Sequence, residues 1–129
     1  RKLHQAKINK KKFIHLWGTG KPKREIIYVD DLANAIIYFI NKKTSHSLIN
    51  IGNSKEYSIK NIANKIVKIL DLKIKIKFDG NAKFDGTMSK VLNTTIAKKY
   101  GWKSTIKFEK AIIETYEDLV KNYKKIKGI

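Results

Sequence analysis

Cysteine is absent from the sequence, which excludes a disulfide framework and a thiolate metal site. Histidine is scarce: His4, His15 and His46 stand too far apart to suggest an imidazole cluster, so no metal is expected. Proline occurs once, at Pro22, and no Ser/Pro-rich linker or internal repeat divides the 129 residues. That length is one domain's worth, able to bury a modest core. No apolar run approaches the ~20 residues of a membrane span, and no signal-peptide pattern opens the chain. A soluble cytoplasmic protein with no membrane partner is expected.

Acidic residues are also few, 11 against 29 Lys and Arg, for a formal charge of +18. Charge of this size often marks nucleic-acid binding. Here 27 of the 29 cations are Lys, and Ile (21) and Asn (10) are abundant as well. All three have A/T-rich codons, and the lysines are scattered, so a biased genome accounts for the excess without a nucleic-acid partner. A basic nucleic-acid-binding module is the rival of a different class, separable by its steep salt dependence. Arginine is the informative scarcity. With Arg1 at the start of the chain, Arg24 is the cation whose planar geometry the sequence singles out.

Arg24 lies in the stretch that organises the rest, residues 16–31, L-W-G-T-G-K-P-K-R-E-I-I-Y-V-D-D. It reads as a strand end, a glycine-rich loop, a second strand and an acidic helix start. Gly18 and Gly20 permit turn conformations that a Cβ would forbid, and Lys21-Pro22 holds the chain extended. Trp17 and Arg24 are thereby presented from opposite sides of one loop, an aromatic plane and a bidentate cation suited to a phosphorylated sugar or nucleotide. The same residue types equally suit a plain hairpin with Trp17 in the core and Arg24 solvated.

Periodicity supplies the remaining elements. Residues 1–8 read as a helix end with Leu3 and Ala6 inward and His4 at the surface or in packing. Residues 13–17 form a strand with Phe13, His15 and Trp17 on one face. Residues 25–29 form a second strand, covered on both faces. Asp30 or Asp31 caps a largely buried helix through Ile40; paired Asp residues could also bind Mg²⁺ or act as an acid/base pair, but the strand-to-helix junction favours the cap. Residues 48–51 read as a buried strand of a mainly parallel sheet. Ser58 caps an amphipathic helix along Ile59, Ile62, Ala63, Ile66, Val67, Ile69 and Leu70. Residues 72–78 alternate, with Lys73, Lys75 and Lys77 on the solvated face of an edge strand. Residues 78–90 form a second glycine loop. Residues 94–100 form a short helix stopped by Gly101, followed by Trp102 as a packing residue. Residues 108–126 form a closing helix, acidic at Glu109 and basic at Lys124, Lys125 and Lys127.

W-G-T-G-x-P-x-R-E-x-x-Y-V-D-D, in residues 17–31, resembles the segment after the catalytic region in GDP-L-fucose synthases, NADP(H)-dependent epimerase/reductases of the extended short-chain dehydrogenase/reductase superfamily. R-E-x-x-Y-V-D-D alone is widespread in nucleotide-sugar epimerases and dehydratases, and the W-G-x-G-x-P prefix narrows it. Residues 83–90, K-F-D-G-T-M-S-K, resemble that family's K-P-D-G-T-x-x-K, with Phe84 for Pro, Met88-Ser89 for a Pro-Arg pair, and Asn93 where Asp is usual. The resemblance covers essentially the whole chain, in order.

The resemblance implies an α/β fold: the C-terminal substrate-binding portion of an extended short-chain dehydrogenase, completing a Rossmann-type sheet and adding a small α/β lobe. It implies conversion of GDP-4-keto-6-deoxy-D-mannose to GDP-L-fucose with NADPH, by an enzyme acting as a homodimer. A related nucleotide-sugar reductase, epimerase or dehydratase would share these motifs. Residues 1–129 contain no G-x-x-G-x-x-G, and their Y-x-x-x-K spacing, Tyr123 and Lys127, falls on an amphipathic terminal helix where it reads as coincidence. The family's epimerising Cys/His pair is missing too. No catalytic or cofactor residue is therefore expected here, NADP(H) being bound by an N-terminal domain absent from this chain. What remains is substrate binding: Trp17 as a stacking platform, Arg24 as a bidentate phosphate ligand and, from the resemblance, Lys2, Asp85 and Lys90. In such a piece, residues 31–40 and 48–51 should line an exposed apolar face.

Overall fold

The computed structural model describes residues 1–126. Helix α1 (Lys2–Ile8) leads into strand β1 (Phe13–Leu16), and β2 (Lys23–Glu25) precedes helix α2 (Val29–Ile40). Strand β3 (Glu56–Ser58) runs into α3 (Ile59–Ile69), which is followed by β4 (Lys75–Phe78), β5 (Ser89–Lys90), α4 (Thr95–Lys99) and the long α5 (Phe108–Ile126). Two small sheets result. β1 and β4 pair in parallel, Phe13 opposite Lys75 through Leu16 opposite Phe78. β2 is the centre of the other sheet, antiparallel to β3 and parallel to β5. The α/β class and a small mixed lobe are both present.

Burial follows side-chain period. Along residues 72–78 Leu72 and Ile74 are buried and Ile76 and Phe78 half-buried, while Lys73, Lys75 and Lys77 are exposed. Leu72 and Ile74 join Ala6 and Ile14 in one core, supported by Leu3, Leu16, Val67, Leu70 and Ile76. The Ser58 hydroxyl accepts the Asn61 amide at 3.1 Å, capping α3. A second core of Ala35, Ala97 and Trp102 gathers Ile27, Tyr38, Phe39, Ile49 and Ile51. Gly101 (φ +91°) ends the α4 segment by taking the left-handed turn that favours glycine. The stripe of α5 lies as expected at Phe108, Ile112, Tyr116, Leu119 and Tyr123, all half-buried, although Thr115 is exposed. Lys127 and the side chains of Lys124 and Ile126 lie outside the described residues.

Four expectations are corrected. The strand placed at 25–29 sits earlier, at Lys23–Glu25, because β3 and β5 offer backbone partners only there; the Ile26 carbonyl accepts the Asn53 side-chain amide instead. Neither Asp30 nor Asp31 caps α2, whose N-cap is Tyr28 with no side-chain bond. Asp31 is buried and turns to residues 105–106, accepting from the Thr105 amide (3.0 Å), the Thr105 hydroxyl (3.1 Å) and the Ile106 amide (3.1 Å). Residues 48–51 form no strand, since no described strand lies alongside them. Finally, α2 is buried only at Asp31 and Ala35. Val29, Ile36, Ile37, Ile40 and Leu48 stand between 55% and 76% exposed, so the expected apolar face is there, although Ile49 and Ile51 turn inward to the second core.

Candidate functional site

Parallel strands end at the same edge, so the loops that follow β1 and β4 must meet. Leu16 lies opposite Phe78, and the two glycine loops begin side by side. The Gly18 amide donates to Asp79 Oδ1 at 2.9 Å, and the Gly80 amide donates back to the Gly18 carbonyl at 3.1 Å. One residue on, Thr19 donates twice to Asp85, from its amide to Oδ1 (2.7 Å) and from its hydroxyl to Oδ2 (2.6 Å). These bonds, the hydroxyl's first and the amide's second, hold the Asp85 carboxyl below the usual carboxylate range. Gly18 fits for two reasons: its φ is +80°, and a Cβ there would come within 2.5 Å of Asp85 Oδ1. Asp85 therefore clasps one loop to the other with both oxygens.

The second loop continues into β5 and is tied down again. The Lys23 amide donates to the Met88 carbonyl, and Arg24 Nη1 donates to the carbonyls of Lys23 and Thr87, each at 2.7 Å. Arg24 is half-buried and opposite Lys90 in the parallel register, so the two cations share one sheet face. Two protons of the guanidinium hold carbonyls, and Nε and Nη2 carry three more donors. At the next position the sheet holds an ion pair, Lys23 to Glu56 at 3.1 Å. Glu56 also accepts the Ser89 hydroxyl at 2.6 Å, and that bond, followed by the lysine's, lowers its pKa.

Trp17 is 73% exposed. This removes the hairpin with Trp17 in its core, and the bonds of Arg24 remove the merely solvated arginine. Lys2 Nζ lies 5.2 Å from the Trp17 ring centroid, and the Phe84 ring lies 5.7 Å away at 33°. The five residues singled out by sequence thus fall into three linked groups: Lys2 on Trp17, Asp85 on Thr19, and Arg24 beside Lys90. The 79–90 loop joins all three. A cavity of about 950 Å³ beside α1 and β1 shares only Lys2 with them.

Several participants were not foreseen. Asp79 accepts the Asn81 amide (2.9 Å) as well as that of Gly18, and its signal was available: F-D-G occurs twice, at residues 78–80 and 84–86. Glu25 is a fixed position of the R-E-x-x-Y-V-D-D motif, but its residue chemistry gave it no role. Its carboxylate accepts the Ser54 amide (2.5 Å) and the Leu92 amide (2.7 Å), and it occupies the space a Cβ on Gly52 would need. His4 is a packing residue: buried, 3.2 Å from the Tyr116 hydroxyl and edge-on to Tyr123, with its pKa lowered first by burial. Among the described residues no group of three or more His, Asp and Glu could hold a metal, and no helix is long and apolar enough to cross a membrane.

Residues 2–52 match the model of the NAD-dependent epimerase/dehydratase family. A probable GDP-L-fucose synthase 1 from Oryza sativa subsp. japonica is 32% identical over 122 residues, 95% of this chain and 37% of that protein. Among solved structures, a GDP-L-fucose synthetase from Naegleria fowleri bound to NADP superposes with a TM-score of 0.83 at 26% identity, over 95% of this chain and 39% of that one. A GDP-6-OMe-4-keto-L-xylo-heptose reductase from Campylobacter jejuni gives a TM-score of 0.76 at 32% identity, over 87% of this chain and 35% of that one. The chain spans between a third and two-fifths of the length of these relatives.

Proposed function

Because the chain belongs to the NAD-dependent epimerase/dehydratase family, we propose that it is the C-terminal, substrate-binding portion of a nucleotide-sugar epimerase/reductase that converts GDP-4-keto-6-deoxy-D-mannose to GDP-L-fucose. The observation that carries this reading is the pairing of the two glycine loops, which presents an exposed Trp17 with Lys2 on one side and the Arg24–Lys90 pair on the other. In this reading Arg24 holds diphosphate oxygens with the donors its carbonyl contacts leave over, and Lys90 and Lys2 add positive charge. Trp17 receives a ring of the ligand. Asp85 acts through the loop it clasps, its two oxygens being engaged by Thr19.

The NADP(H) that such an enzyme uses supplies the hydride, and the residues here do not fit it. Gly18 opens onto the carboxylates of Asp79 and Asp85, and Gly20 packs on the Phe78 ring with its carbonyl already taking up the Lys60 amide at the start of α3, so a pyrophosphate there would meet two acids and a blocked helix end. The cofactor is assigned to a dinucleotide-binding domain N-terminal to this portion. The exposed apolar face of α2 and Leu48 supports that assignment, because a patch of this kind needs a partner surface. The 32% identity to the heptose reductase favours a second reading, a GDP-sugar reductase acting on another sugar. Calorimetry tests the common part. The chain should bind GDP and show no stoichiometric NADPH binding; tight NADPH binding would overturn the division of labour.

A further inference from the structure

We propose that Phe84 is a second ligand-facing aromatic, forming with Trp17 a two-ring wall on which one ring of the nucleotide sugar packs. This rests on the substrate-site reading above and adds a specificity-determining residue to it. Phe84 is 57% exposed although it is large and apolar, and neither core includes it. Its ring lies 5.7 Å from that of Trp17 with 33° between the planes. Inserting a third ring between them would need a centroid separation of about 7 Å, two stacking distances. A ligand ring must therefore meet the pair from outside, across both.

The placement of Phe84 is built rather than incidental. It ends a 3₁₀ turn, Ala82–Phe84, in which its amide donates to the Asn81 carbonyl at 3.1 Å and the Asn81 side chain accepts the Lys83 amide. The following residue is Asp85, whose clasp on Thr19 fixes the backbone on both sides of the ring pair. Cations stand beside the wall, with Lys2 over Trp17, so the ligand it suits carries both a ring face and negative charge. In a nucleotide sugar that ring is either the flat base or the puckered hexose, which would lay one C–H face on the wall.

The two tryptophans make the test direct, because Trp17 is exposed and Trp102 is buried. GDP and GDP-mannose are titrated into the wild-type chain and into Phe84→Ala, Phe84→Leu and Trp17→Ala, by Trp17 fluorescence where it is retained and by calorimetry throughout. Phe84→Ala should weaken binding about tenfold, in keeping with the loss of one stacking aromatic. Phe84→Leu, which keeps apolar bulk without a ring, should recover only part of it. Weakening toward both ligands assigns the base; weakening toward GDP-mannose alone assigns the hexose. Wild-type affinity in both Phe84 variants, with binding lost in Trp17→Ala, overturns the role of Phe84 and leaves the substrate site standing. Wild-type affinity in all three variants, or no binding by the wild-type chain, overturns both.

Discussion

Replacing Asp31 with Ala should lower the melting temperature by about 8–16 °C. The carboxylate is 3% exposed and accepts three bonds of 3.0–3.1 Å from Thr105 and Ile106. A hydrogen bond to a charged group contributes about 1.5–3 kcal/mol. Residues 103–107 are partly exposed, so water can take up some of the freed donors, which brings the combined loss to about 2–4 kcal/mol. A domain of this size shifts by about 4 °C per kcal/mol. Asp31→Asn keeps one acceptor but turns an NH₂ toward an amide donor, and should lose about half as much. Asp30→Ala is the control: exposed in the first turn of α2, it should cost no more than about 1 kcal/mol of helix-dipole stabilisation. Differential scanning calorimetry of the three variants measures all this. A shift under about 3 °C for Asp31→Ala would refute the staple and return Asp31 to an ordinary first-turn acid.

Two further outcomes follow from the loops and the apolar face. Asp85 has its pKa lowered in the folded state, so its contribution is fully present above its ordinary value near pH 4 and is lost as pH falls through the lowered one; the Thr19 amide chemical shift should hold steady from neutral pH down to about 4 and move only below it, and Asp85→Asn should abolish that transition. Ile37→Lys with Ile40→Lys should reduce self-association of the chain in analytical ultracentrifugation without lowering its melting temperature, because those side chains are 61% and 76% exposed; an unstable double variant would mean that the face is part of the core.

The elements legible in the sequence were those whose period is set by their own burial. Residues 72–78 alternate because one face meets the first core, and α5 announces itself by its stripe and charges. Strand 25–29 and strand 48–51 misled because an apolar run specifies burial but not a backbone partner: Ile27, Ile49 and Ile51 do pack inward, as loop residues. Asp31 misled for a related reason. A carboxylate at a helix start has local donors within reach, yet the stronger set came from residues 74 positions away. At the site, residue chemistry marked Trp17 and Arg24, but the clasps of Asp79 and Asp85 depend on the parallel register of β1 with β4, which no local pattern encodes.

The most direct test of the central claim is the Arg24→Lys variant of the complete enzyme, assayed with GDP-4-keto-6-deoxymannose. Lysine keeps the charge but cannot bridge the Lys23 and Thr87 carbonyls while also offering a fork to a diphosphate. Loss of a charge-assisted bond of about 1.5–3 kcal/mol should lower kcat/KM by roughly ten- to a hundredfold, mostly through KM, since the diphosphate does not itself react. NADPH affinity should not change. Wild-type kcat/KM in Arg24→Lys would contradict the placement of the diphosphate at this loop.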